Sequence, residues 1–309
     1  MTPRIWLIAG PTASGKSALA LRLALATGAE IVGADALQIY RDLPILTARP
    51  TAAEQGLVPH HLVGSIDGAD GWSVGRWLDA TRTVLTEISA RGRDAVVVGG
   101  TGLYFHALTQ GLAQVPTVPV AVRAQAQEVF DEGGEASFRG MLRGIDPASE
   151  GRISAGDRQR LVRAWEVWLA TGQSLTDWQK SSAGGLLPGT WSSAVIVPER
   201  RALYSRCDQR LAQMLEAGVL AEVVALASRN LNPALPILKA VGYPQLAAHL
   251  RGELSLSDAL EAAQRETRRY AKRQTTWMRG QMADWPTIET LDTETQWRSF
   301  LALNPDLTL

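Results

Sequence analysis

GPTASGKS, residues 10–17, decides the fold, because the spacing GxxxxGK[ST] specifies a phosphate cradle at a strand-to-helix junction. Gly10 and Gly15 let the backbone curl so that successive N–H groups point at one anion. Lys16 adds a mobile positive charge, and the Ser17 hydroxyl opens the following helix, where a magnesium ligand normally sits. Pro11, Thr12, Ala13 and Ser14 complete the loop. A chain of this length meets the bare pattern by chance roughly once in a hundred, and the flanks lower that further. RIWLIA (4–9) reads as a buried strand, and SALALRLALATG (17–28) places Leu19, Leu23 and Ala26 at helical spacing. The pattern identifies a phosphate group without naming the molecule that carries it.

Outward from the loop, EIVGA (30–34) and DAVVVGG (94–100) read as further strands, with a helix over 73–91. This alternation predicts an α/β fold: a P-loop-type parallel sheet core flanked by helices. Between VPTVP (115–119) and SSAGGLLPGT (181–190) the pattern is helical throughout. That span, 115–190, is expected to be an inserted all-helical domain, with the core formed by 1–114 and 191–309. SSAVIVP (192–198) returns the chain to the sheet, and a helix follows from Arg200. The long helical pattern 255–280 has Ser257 as its expected N-cap and Gly280 as its exit.

The 309 residues are 46% hydrophobic and 20% charged, which describes a folded globular chain. No apolar run approaches the roughly 20 residues that span a bilayer, and the N-terminus enters a strand at once, so a cytoplasmic protein without membrane contact is expected. The lone Cys207 excludes an internal disulfide and reads as a buried small residue. Net charge is zero, so bulk charge makes no case for nucleic acid, but its distribution does. Arg265, Arg268, Arg269, Lys272 and Arg279 recur at helical intervals, interleaved with Tyr270 and Trp277. Few acids follow Glu266 to pair with them, so the expectation is an unpaired cationic stripe suited to an RNA backbone and stacked bases. A solvated charged face is the competing reading.

P-loop NTPases normally carry an Asp at the end of a second strand. Here AVVVGGTGLY (95–104) ends in Gly99, Gly100 and Thr101, which argues against simple NTP hydrolysis. Asp35 instead follows the strand EIVGA, at the edge where open α/β sheets assemble sites. An Asp in a turn is often only a local cap. Gln38 and Tyr40 beside it favour a place for a second substrate.

Taken together, GPTASGKS, ADALQIY (34–40), TARPT (47–51), VPHHL (58–62), GGTGLY (99–104), DRQRLVRAWEV (157–167), VGY (241–243) and AKRQTTWMRG (271–280) resemble, in order and spacing, the tRNA dimethylallyltransferases of the isopentenyl transferase family. The resemblance covers nearly the whole chain. It implies that the loop holds the diphosphate of dimethylallyl diphosphate, with Mg2+ on Ser17, and that the five-carbon group moves to the exocyclic amine of adenosine 37 in tRNA. Asp35 matches the position of the general base, Thr101 a residue at the reacting region, and Arg123 one placed on tRNA and the diphosphate. Contacts to the anticodon stem-loop are implied for Asp35, Ala36, Leu37 and Gln38, for Gln159, Arg160, Leu161, Val162 and Arg163, and for Lys272, Arg273, Gln274, Trp277 and Arg279. Arg160 and Arg163 lie three apart on one helix, with Trp165 and Trp168 expected to pack below. One chain suffices for the reaction, so a monomer is expected. The chain departs from the family at Ala36, where Ser is usual, at Pro244, where a basic residue is common, and at Arg49, where Lys is usual. A small-molecule kinase, an enzyme prenylating free adenine nucleotides, and a non-catalytic RNA-binding module remain as alternative functions.

Overall fold

Six parallel strands, β1 (Ile5–Ala9), β2 (Glu30–Gly33), β3 (His60–His61), β4 (Ala95–Gly99), β5 (Trp191–Ile196) and β6 (Thr287–Ile288), pair in the order β3-β2-β4-β1-β5-β6. The computed structural model describes residues 3–180, 184–185, 187 and 191–307. Most of the loop expected at 181–190 therefore lies outside the described residues. The helices are α1 (Lys16–Thr27), α2 (Ala52–Leu57), α3 (Val74–Ala90), α4 (Gly102–Gln110), α5 (Val120–Ile145), α6 (Pro147–Arg152), α7 (Arg158–Thr171), α8 (Leu175–Lys180), α9 (Arg200–Glu216), α10 (Val219–Ala227), α11 (Tyr243–Leu250), α12 (Leu256–Gln281) and α13 (Thr293–Leu303).

β1 is central because WLIA is buried on both faces, as a parallel strand covered by helices must be. Ile8 and Trp6 pack with Leu19, Ala20, Leu23 and Ala24 of α1, and with Trp297 and Phe300 of α13. Ala26, expected in that stripe, is exposed instead, because Ala20 and Ala24 complete the buried face with the leucines. Trp77 of α3 is wholly buried and donates from Nε1 to the Gly33 carbonyl at 2.9 Å, tying α3 to the end of β2.

The chain divides into two compact units, one drawn from Met1–Ala107 and Leu187–Leu309, the other from Leu108–Leu186. The first holds the sheet. The second is helical, built on Ala126, Phe138, Leu142, Ile153, Leu161, Val162 and Ala164, with Trp165 packed against them. It opens within α4, ahead of the composition change at Val115.

Both expected ends of the long C-terminal helix move. Its N-cap is Ser255, which accepts from Asp258 N at 3.1 Å while donating to the Asp258 carboxylate. That reciprocal pair outcompetes Ser257, which lies in the first turn. Gly280 sits inside α12, and the exit falls at Met282, whose N–H bonds to Met278 O. Met282 and Trp285 are buried there, so packing ends the helix where no left-handed glycine is needed.

Candidate active site

The loop 10–17 leaves β1 between the ends of β4 and β5, where open parallel sheets place their ligands. Gly15, at φ 94°, caps α1 without any side-chain hydrogen bond, and the first turn carries no acid. The N–H groups and dipole of α1 are thus free for an anion. Ala13 adopts φ 64°, a left-handed conformation that costs a non-glycine residue on the order of 1 kcal/mol and is kept where a loop must curl.

Two glutamines from remote helices brace this loop. Gln274 of α12 is buried; its Oε1 accepts from Thr12 N at 2.8 Å and its Nε2 donates to Gly100 O at 2.9 Å. Gln296 of α13 donates to Ser14 O at 2.8 Å and to Thr290 O at 2.7 Å. Gln274 was expected to touch RNA, but both ends of its amide are engaged within the chain. A spacing of residues on one helix face gives no hint of such a long-range partner.

Lys16 is buried and donates to Pro11 O at 3.2 Å. Burial lowers its pKa from the ordinary 10.5 to about 8; the charge of Asp35 opposes that fall, and Arg210 adds to it. Arg206 and Arg210 of α9, one turn apart, line the same cavity, and burial also disfavours the charged form of Arg210. Sequence reasoning missed both. Their spacing of four around Cys207 in RCDQR was the available signal, since it sets two guanidiniums on the face that buries the cysteine. Cys207 is buried as expected, and burial raises its thiol pKa to about 11, which leaves it protonated and unreactive.

Asp35 begins the loop after β2. Its Oδ1 accepts from Leu37 N at 2.9 Å and Gln38 N at 3.3 Å, the local cap that a turn Asp commonly forms. Its Oδ2 has no hydrogen bond among the described residues, and Asp35 lines the cavity with Lys16. Both roles therefore fit one side chain: one oxygen aims the carboxylate, and the other is left unbonded on a residue that lines the cavity. Thr101 anchors the same turn, accepting from Ala36 N at 2.9 Å. Burial and the charge of Asp35 push the Tyr104 and Tyr270 hydroxyls upward, so both stay protonated.

Gln38 lines the cavity while its Nε2 donates to Thr47 O and Ala48 O at 2.9 and 3.0 Å, whereas Tyr40 is fully buried and presents no side chain to a second substrate. Glu222 of α10 holds the same loop through Ile45 N and Leu46 N. Arg49 donates to Tyr40 O and Arg41 O and lines the cavity, and Pro244 sits in the first turn of α11, where no N–H is required. The cavity has a volume of about 290 Å³.

GGTGLY is explained by close approach. A Cβ on Gly102 would stand 2.0 Å from the Trp277 ring, and one on Gly99 2.0 Å from Ala34 O. Trp277 thus lies half-buried over the start of α4, edge-on to His106.

The cationic stripe is only partly unpaired. Arg265 bonds Glu261 at 2.5 Å, Arg268 bonds Asp208 of α9 at 2.7 Å, and Arg269 bonds Glu266 at 2.5 Å. Lys272, Arg273 and Arg279 are exposed with no ion pair among the described residues, and Arg273 covers the Tyr270 ring. Lys272, Arg273 and Trp277 line an open groove on α12.

In the helical unit, Gln159 and Arg160 are exposed and Arg163 is half-buried. Leu161 and Val162 point into the core, so their side chains are unavailable to RNA. Arg123, at the start of α5, and Arg163, on α7, meet on Glu166, a buried acid that the sequence did not single out.

Comparison with known proteins identifies the family. Residues 38–281 match the model of the IPP transferase family, and residues 3–59 that of isopentenyl transferase. The chain is 62% identical over 308 residues to the tRNA dimethylallyltransferase of Phenylobacterium zucineum (strain HLK1), covering 100% of both. It resembles the crystal structure of the tRNA isopentenylpyrophosphate transferase of Bacillus halodurans at 30% identity and a TM-score of 0.68, covering 97% of this chain and 95% of that one. A eukaryotic dimethylallyltransferase solved acting on tRNA shares the fold, with a TM-score of 0.84 at 23% identity over 99% of this chain and 79% of that one. The chain belongs to the IPP transferase family.

Proposed function

We propose that this chain transfers the dimethylallyl group from dimethylallyl diphosphate to the N6 amine of adenosine 37 in tRNA, releasing diphosphate. The observation that carries the reading is the shared cavity of Lys16 and Asp35, with no carboxylate at the end of β4 where hydrolysis of a nucleotide would call for one.

In the reaction, the amine nitrogen bonds to the allylic carbon as its bond to the diphosphate oxygen breaks. The amine proton passes to Asp35 Oδ2, and Thr101 keeps the turn of Asp35 in register. Negative charge grows on the departing oxygen, where the bare N–H groups of α1, Lys16, Arg206 and Arg210 stabilise it more in the transition state than before it. Ser17 is exposed at the head of α1, and the described residues contain no cluster of three acids, histidines or cysteines. That donor set fits Mg2+: the Ser17 hydroxyl would be the protein group that holds the ion, which would supply positive charge beside the leaving group.

The target base must leave its stack to reach Asp35. The tRNA surfaces we assign are Asp35 to Gln38 and Thr101, then Arg123, Gln159, Arg160 and Arg163, and Lys272, Arg273, Trp277 and Arg279. No helix of the described residues is long and apolar enough to cross a membrane.

The test is incubation with labelled dimethylallyl diphosphate and unmodified tRNA, with AMP and ATP as controls. Label on tRNA at a single adenosine is expected. Label on AMP alone, phosphate transfer from ATP, or no transfer to any acceptor would overturn the proposal.

A further inference from the structure

Glu166 combines deep burial with two cationic partners. Its side chain is 5% exposed, yet Oε1 accepts from Arg163 Nη1 at 2.6 Å and Oε2 lies 3.4 Å from Arg123 Nε. The arginines come from different helices and are 39% and 54% exposed, in that order. A guanidinium has five N–H donors. Each arginine here commits one of its nitrogens to the acid, and its remaining donors have no partner among the described residues. One carboxylate under two guanidiniums leaves a net positive charge at the surface. The hydrophobic contacts that close this part of the unit are made without the acid, by Leu161, Val162 and Ala164 against Ala126, Phe138 and Leu142. A buried acid in such a setting stays only because its partners satisfy it.

We infer that Glu166 is a positioning residue that holds Arg123 and Arg163 side by side as a fork for RNA phosphate oxygens, and that it acts on the substrate only through them. A free arginine side chain loses rotamer entropy when it clamps a phosphate, and a preset pair loses less. The inference rests on the functional reading above, in which both arginines face tRNA.

The test uses the full chain, with Glu166→Gln made in the wild type and again in an Arg123→Ala/Arg163→Ala background. Steady-state constants for tRNA and for dimethylallyl diphosphate are measured alongside the thermal midpoint. In the wild-type background Glu166→Gln is expected to raise KM for tRNA about tenfold, the scale of one lost charge-assisted hydrogen bond, with KM for the allyl donor within about twofold. In the double-alanine background the same substitution is expected to leave KM for tRNA unchanged, whatever it does to the midpoint. Glu166→Asp, which keeps the charge, is expected to recover part of the wild-type value. A purely structural acid would raise KM for tRNA equally in both backgrounds, and that result overturns the inference; so does an unchanged KM in the first. Absence of label transfer by the wild type would instead refute the functional reading.

Discussion

Lys16→Met is expected to stabilise the ligand-free protein while abolishing its hold on diphosphate. Lys16 carries its charge while buried, with its pKa lowered from 10.5 to about 8, chiefly by that burial. At 1.36 kcal/mol per pH unit, that fall means the folded state bears the ammonium at a cost of about 3 kcal/mol at pH 7. Methionine removes the cost but also the hydrogen bond to Pro11 O, worth about 1 kcal/mol, for a net gain of about 2 kcal/mol. Such a gain raises the thermal midpoint by roughly 4–8 °C. The pH dependence is the sharper signature. Below about pH 8 both folded and unfolded wild type hold the proton, and the full cost applies. Between about 8 and 10.5 the folded state releases its proton first, so wild-type stability climbs relative to the variant; above 10.5 the two curves run parallel. The assay is thermal and urea unfolding of both proteins across pH 6–11, repeated with inorganic diphosphate. At a ligand concentration of about 100 Kd the wild type gains about 2.7 kcal/mol and the variant almost nothing. A variant no more stable than wild type at pH 7, or curves that stay parallel throughout, would refute the electrostatic account of this site.

Asp35→Ala is expected to lower kcat by about 10²–10⁴ with a much smaller change in tRNA affinity, measured by single-turnover transfer and filter binding; equal losses would make Asp35 a binding residue. Gln274→Ala removes two buried hydrogen bonds that brace the phosphate loop, so it should cost about 1–3 kcal/mol in urea unfolding and raise KM for the allyl donor. An effect confined to tRNA binding would return Gln274 to the RNA surface. Lys272→Ala should weaken tRNA binding and reduce the salt slope by about one, seen by titration at several salt concentrations; Arg268→Ala, whose partner is Asp208, should chiefly cost stability.

The short-range chemistry of the chain was legible from its residues. Glycine spacing, a lysine and a hydroxyl specify a phosphate loop, apolar runs of five residues specify buried parallel strands, and Asp35 after EIVGA falls at the ligand edge of the sheet, because each depends on neighbours a few residues away. The resemblance added the substrate, and with it the roles proposed for Thr101 and Arg123.

What only the tertiary structure decided are the partners brought together from afar. Gln274 reads as one more polar residue on a cationic helix until α12 crosses the phosphate loop, 262 residues away in sequence, and takes both ends of its amide. Arg268 reads as unpaired until α9 presents Asp208, and Tyr40 reads as open to substrate until its ring is buried. Why residues 99 and 102 are glycine becomes visible only when Ala34 and the Trp277 ring close on them. A side chain in the sequence offers donors, acceptors and charge, but whether these remain for a substrate depends on which distant groups folding brings within hydrogen-bond reach. In this chain folding leaves Lys16 and Asp35 facing one cavity and turns several of their neighbours into its walls.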